Sequence, residues 1–165
     1  MAELDALSPD AFVVAAAPWF EGAPRFLARL AAARPFGDAA TLFASAAEIA
    51  ATMPADEQLE LIDAHPRLGA PSSSVSADSF REQGYDRETS DAIADLERLN
   101  AAYEARFGFR FCVLVAGRPR SALVPVLERA LRADRDAEVQ RALGDVVAIA
   151  RDRFRRLSTS AEVVG

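Results

Sequence analysis

The sequence contains no lysine: all 19 basic residues among its 165 are arginine. That absence excludes chemistries built on a lysine amine, among them Schiff-base catalysis, the phosphate-loop lysine and the kinase-type lysine. Histidine and cysteine are almost as scarce, with one of each, His65 and Cys112. A structural zinc site takes four Cys/His ligands and a catalytic one usually two or three histidines, so no metal centre is expected. A lone cysteine cannot close an internal disulfide and makes no demand for an oxidising compartment. No apolar run approaches the roughly 20 residues of a membrane span. The opening MAELDALSPD lacks the basic and apolar regions of a secretory signal. The expectation is a cytoplasmic protein that touches no membrane. The formal net charge is −6, and the arginines are scattered among acidic neighbours rather than gathered in a stripe, which excludes nucleic acid as a partner.

What is present is material for a core. The chain is 51% hydrophobic and 27% charged, with only 8 Gly and 9 Pro, and its length suits one domain. Alanine, the strongest helix former, is its commonest residue. Ser8-Pro9-Asp10 opens a helix with Ser as N-cap and Pro in the first turn. Further helices are predicted over about 25–33, 38–53 and 55–64. The last of these stops near His65, because Pro66 disfavours helix in the residue before it. Residues 66–77 form a Pro/Gly/Ser-rich loop, followed by a short helix from about Asp78 and a long one over about 88–107, ended by Gly108. The run 109–115, FRFCVLV, is almost wholly apolar and reads as a buried extended segment. Ser121 is placed as the cap of a helix to about Ala133, with Pro125 in its opening turn. A last helix spans about 136–157 and leaves 158–165 as a frayed tail. The fold class is therefore all-α: a single compact multi-helix domain over 1–157 with one short buried extended segment.

Side chains able to carry chemistry are few. His65, in AHPRLG, joins a helix end to a loop, and an imidazole is the natural acid or base at neutral pH. The structural alternative is a histidine that only satisfies helix-end carbonyls. Ser79-Phe80-Arg81-Glu82-Gln83 is either a capping box or a short element presenting a hydroxyl, a carboxylate and an amide to a pocket. In the last helix Val139, Leu143, Val146, Ala150 and Leu157 form an apolar stripe with Arg153 at its edge. There a guanidinium either snorkels or is aimed at an anion. Cys112, between Phe111 and Val113, reads as an inert small hydrophobe, with a Cys–His nucleophilic pair as the remote alternative.

Five blocks in order, APWFEGA with ARPF, QLELIDAHPRLG, SFREQ, LERLNAAYEARFGFRFCVLV and IARDRFRRL, span nearly the whole chain. Together they resemble the OHCU decarboxylase family, enzymes that convert 2-oxo-4-hydroxy-4-carboxy-5-ureidoimidazoline to (S)-allantoin in urate degradation. The resemblance implies a carboxy-lyase that needs no cofactor and no metal, with an all-helical fold, commonly a homodimer, acting on a small ureidoimidazoline. It makes His65 the proton donor, with Glu82 as a second catalytic residue. It assigns substrate binding to Pro66, to Ser79, Phe80, Arg81, Glu82 and Gln83, to the stretch Phe111, Cys112, Val113, Leu114 and Val115, and to Arg153. The rival readings are a non-catalytic helical protein-interaction module and a Cys112-dependent hydrolase.

Overall fold

The computed structural model describes the backbone of residues 1–69 and 90–163, and the side chains of 1–69 and 93–157. Within them lie eight α-helices: α1 (Ala2–Asp5), α2 (Pro9–Ala16), α3 (Pro24–Ala32), α4 (Ala39–Thr52), α5 (Ala55–Asp63), α6 (Ser90–Phe107), α7 (Val124–Ala130) and α8 (Arg135–Val163). A 3₁₀ turn at Arg120–Ala122 precedes α7, and no strand occurs among the described residues. The all-α reading holds.

Local chemistry sets most of the helix ends. Ser8 Oγ accepts from the Ala11 amide at 3.2 Å with Pro9 in the first turn, and Asp38 Oδ1 accepts from the Thr41 amide at 2.7 Å. Gly108, at φ 78°, closes α6 and returns its N–H to the Glu104 carbonyl at 2.9 Å. Three expectations need correction. Ser121 caps nothing: it lies inside the 3₁₀ turn, and α7 begins at Val124, because Pro125 lacks an N–H and fits only a first turn. The last helix begins at Arg135, where Asp134 Oδ1 accepts from the Asp136 amide at 2.9 Å. It also continues to Val163 instead of ending at Leu157, since no proline or glycine lies between Leu157 and Gly165. Helix α1, four residues long, was not foreseen.

Helix α8 packs on α4 and α5, α6 packs on α7 and the 3₁₀ turn, and α3 touches α2, α4 and α5. Phe12, Phe20, Phe26 and Phe43 fill one part of the core. Tyr103 of α6 organises another, with the rings of Phe107, Phe109 and Phe111 centred 4.6, 5.6 and 5.2 Å away. Full burial of one such ring is worth about 1.5–3 kcal/mol.

The expected extended segment is present, buried at Phe111, Cys112 and Val115. Lacking a partner strand, its main-chain groups must find other partners. Helix α8 supplies them: Arg141 Nη1 donates to the Cys112 carbonyl at 2.9 Å, and the Leu114 amide donates to Asp145 Oδ1 at 3.1 Å. Arg141 is itself paired with Glu138 at 2.9 Å and Asp145 at 2.6 Å, lies over the Phe111 ring, and shares Glu138 with the Tyr103 hydroxyl at 2.8 Å. The buried Tyr103 hydroxyl beside that carboxylate is held well above the ordinary phenol range.

Candidate active site

A cavity of about 270 Å³ opens where the end of α5, the extended segment and α8 meet, just below the usual range for ligand pockets. His65 and Pro66 form one wall. Phe111 through Val115 form the second, continuing into a tight turn at Ala116-Gly117. Arg153 stands on the third, from α8. The turn places Ala116 at φ 50° and Gly117 at φ 72°, and the Arg118 amide closes it on the Val115 carbonyl at 3.0 Å.

His65 is 4% exposed and lies just past the last turn of α5, its amide on the Ile62 carbonyl at 3.2 Å. The bend is held from outside. Arg110 Nη1 donates to the Asp63 and His65 carbonyls at 2.8 and 3.2 Å, while the Arg110 amide donates to Asp63 Oδ1 at 2.8 Å. Asn100 Nδ2 donates to the Leu68 carbonyl at 2.7 Å, and Arg67 pairs with Glu104. The ring places Nδ1 3.4 Å from the Leu61 carbonyl and leaves Nε2 without a hydrogen-bond partner. Burial, and next the charge of Arg153, push this imidazole down to about 4. Glu21 and the Leu61 carbonyl act in the opposite direction. At neutral pH the ring is therefore uncharged, and Nδ1–H facing Leu61 leaves the Nε2 lone pair available.

Arg153 is 2% exposed. It neither snorkels nor sits at a margin: Nη2 pairs with Glu21 at 2.8 Å, and Nη1 donates to the Pro18 and Trp19 carbonyls at 3.2 and 3.4 Å. Leu157, expected in the apolar stripe, is instead 44% exposed, whereas Val139, Leu143, Val146 and Ala150 are buried as read. The stripe thus ends on the arginine, because α8 runs past the core at that point.

Of the residues singled out in the sequence, His65, Pro66, Phe111, Cys112, Val113, Leu114, Val115 and Arg153 line this one cavity. Ser79, Phe80, Arg81, Glu82 and Gln83 lie outside the described residues, as does the helix expected from Asp78. The lining also includes Leu68, Ile149, Asp152 and Arg156, which sequence reasoning missed. Helical spacing held the signal for three of them, since 149, 152, 153 and 156 share one face of α8. Cys112 and His65 make no nucleophilic pair: among the described residues the imidazole's one hydrogen-bond partner is the Leu61 carbonyl. In an extended chain successive main-chain groups point to opposite sides. With the Cys112 carbonyl and Leu114 amide turned to α8, the N–H and C=O of Val113 face the other way, a donor and an acceptor side by side.

Residues 5–155 match the family model described as OHCU decarboxylase. The chain is 34% identical over 143 residues to the uric acid degradation bifunctional protein PucL of Bacillus subtilis, covering 85% of this chain and 29% of that protein. It is 27% identical over 154 residues to the 2-oxo-4-hydroxy-4-carboxy-5-ureidoimidazoline decarboxylase of Haloferax volcanii, covering 92% of each. The chain thus spans about a third of the length of the bifunctional relatives and nearly all of the single-function one. A crystal structure of OHCU decarboxylase in the presence of (S)-allantoin shares the fold, with a TM-score of 0.67 at 21% identity, covering 82% of this chain and 92% of that one.

Proposed function

Because the protein belongs to the OHCU decarboxylase family, we propose that it decarboxylates 2-oxo-4-hydroxy-4-carboxy-5-ureidoimidazoline, the reaction its Haloferax relative is named for, to (S)-allantoin in urate degradation. The observation that carries this reading is the meeting of the neutral His65 and the buried cation Arg153 at one small cavity walled by the extended segment Phe111–Val115.

The substrate's name defines what must move. Carbon 4 bears a hydroxyl and a carboxylate, and carbon 5 bears the ureido group. When CO₂ leaves, its bonding pair passes into the ring, and the ring nitrogen that receives the charge takes up one solvent proton. The carbon-4 hydroxyl then gives up its proton to become a carbonyl, while carbon 5 gains a proton on one face. His65 suits both ends of that exchange. Its free Nε2 lone pair accepts the hydroxyl proton, and the imidazolium so formed is a strong acid, because burial and Arg153 disfavour its charge. Delivery to carbon 5 from one wall of the cavity sets the S configuration, and proton transfer of this kind contributes ~10²–10⁴-fold in rate.

Among the described residues Arg153 and Arg156 bring cations to the cavity, and Arg153 offsets the negative charge on the ring as CO₂ departs. The Val113 N–H and C=O match the paired donor and acceptor of a cyclic urea. The family resemblance adds Ser79 through Gln83 as substrate-binding residues, with Glu82 accepting substrate N–H groups. The protein acts without a cofactor, as a cytoplasmic homodimer. Among the described residues no helix is long and apolar enough to cross a membrane, and no group of three or more His, Cys, Asp or Glu is placed to hold a metal ion. The test is to add purified protein to freshly oxidised urate and follow CO₂ release. Acceleration over the spontaneous reaction supports the reading, and an unchanged rate leaves the helical interaction module as the better account.

A further inference from the structure

The turn between α2 and α3 carries a carboxylate that no motif singles out. Glu21 sits at φ 52°, in the left-handed region that side-chain-bearing residues rarely occupy and that costs about 1–3 kcal/mol. Gly22 beside it, at φ 78°, adopts such a conformation freely. The strained position is occupied by a side chain that reaches the cavity wall: the Glu21 carboxylate meets Arg153 Nη2 at 2.8 Å. The same guanidinium grips two carbonyls of the same turn, those of Pro18 and Trp19. One residue further along α8, Phe154 packs edge-on against Trp19 with ring centroids 5.0 Å apart. The turn and α8 are therefore fastened together at Arg153 and Phe154.

Building on the decarboxylase reading above, we propose that Glu21 is a positioning residue for the reaction: it anchors the Arg153 guanidinium on the α2–α3 turn and so fixes the charge that His65 and the bound substrate meet. A buried guanidinium needs a counter-ion, because leaving either partner of such a pair alone is far costlier than leaving both in place. Removing the Glu21 charge takes a buried counter-charge from the guanidinium that faces the imidazole and the incoming carboxylate. Among the described residues, the charged groups around His65 are otherwise Asp152 and Arg156 from α8, Arg110 on its carbonyl and Asp63 at the end of α5. Among the described carboxylates, Glu21 has a field that opposes that of Arg153 at the imidazole.

The experiment compares wild type with Glu21→Gln and Glu21→Asp, reading steady-state kinetics against pH, and the titration of the imidazole by NMR, where a single histidine gives a single signal. Gln keeps the size and one acceptor oxygen but removes the charge, so the fold is retained, and a melting curve checks it. Expected for Glu21→Gln is a fall in kcat of roughly tenfold, with KM for the anionic substrate unchanged or lower, and with His65 protonation beginning at lower pH than in wild type. Glu21→Asp restores part of both. A Gln variant with wild-type kcat, pH profile and imidazole titration overturns the proposal, whatever its melting temperature. A wild-type protein with no decarboxylase activity overturns the functional reading instead, and the imidazole titration then still decides the role of Glu21.

Discussion

Replacing His65 by Asn should flatten a pH dependence of stability that the buried imidazole creates. In the folded protein the ring titrates at about 4, against 6.5 for a free imidazole, chiefly because burial penalises its charged form. The unfolded chain therefore binds this proton more tightly than the folded one. Stability from the neutral ring is complete above the unfolded value of 6.5 and is lost as the pH falls from there towards 4. One pKa unit corresponds to about 1.4 kcal/mol, so on going from pH 7.5 to pH 5 the wild type loses about 2 kcal/mol through this group. In a domain of this size that is about 4–8 °C of melting temperature. The carboxylates titrate over the same range in both proteins and cancel when the variant is subtracted. The assay is urea unfolding of wild type and His65→Asn at the two pH values. If the two proteins lose the same stability between them, the imidazole is not held neutral by burial, and the account of its acidity as imidazolium fails with it.

Three further outcomes follow from the same geometry. Cys112 contributes its main chain to the cavity wall, so Cys112→Ser should keep activity within about tenfold, as should exhaustive chelation, since the site is proposed to use neither thiol nor metal; a larger loss in turnover assays counts against it. Glu82→Gln should leave the melting temperature nearly unchanged, because Gln also serves a capping box, while lowering kcat/KM roughly ten- to a hundredfold through loss of a charge-assisted contact. Tyr103→Phe removes the hydroxyl that Glu138 accepts from behind the extended segment. It should cost about 1.5–3 kcal/mol in unfolding experiments, the range for a hydrogen bond to a charged group.

The helices were legible because their determinants are local. Ser8-Pro9, Asp38, Pro66 and Gly108 each act within a turn of where they stand, and each marks a boundary within a residue or two of the observed one. Ser121 misled because a serine at a plausible cap position is outranked by a proline four residues later that dictates where the helix can start. The apolar run 109–115 announced its burial but not its support: Arg141 and Asp145 satisfy it from 29 and 31 residues away in sequence, and no local pattern records such a bond. Arg153 shows the same limit. Helical phase put it beside the core, yet its buried state depends on Glu21 and two carbonyls more than 130 residues earlier in the chain. That Ile149 and Asp152 share the cavity with it follows from helix periodicity once Arg153 is known to face inwards.

The central claim is that one neutral, buried imidazole moves the proton that fixes the product's hand. It is tested most directly by following the optical activity of allantoin formed from freshly oxidised urate, with wild type and with His65→Asn protein shown to be folded. The account predicts rapid growth of an (S)-allantoin signal with wild type, and with the variant only the slow spontaneous formation of product lacking optical activity. A variant that produces (S)-allantoin at the wild-type rate would contradict it.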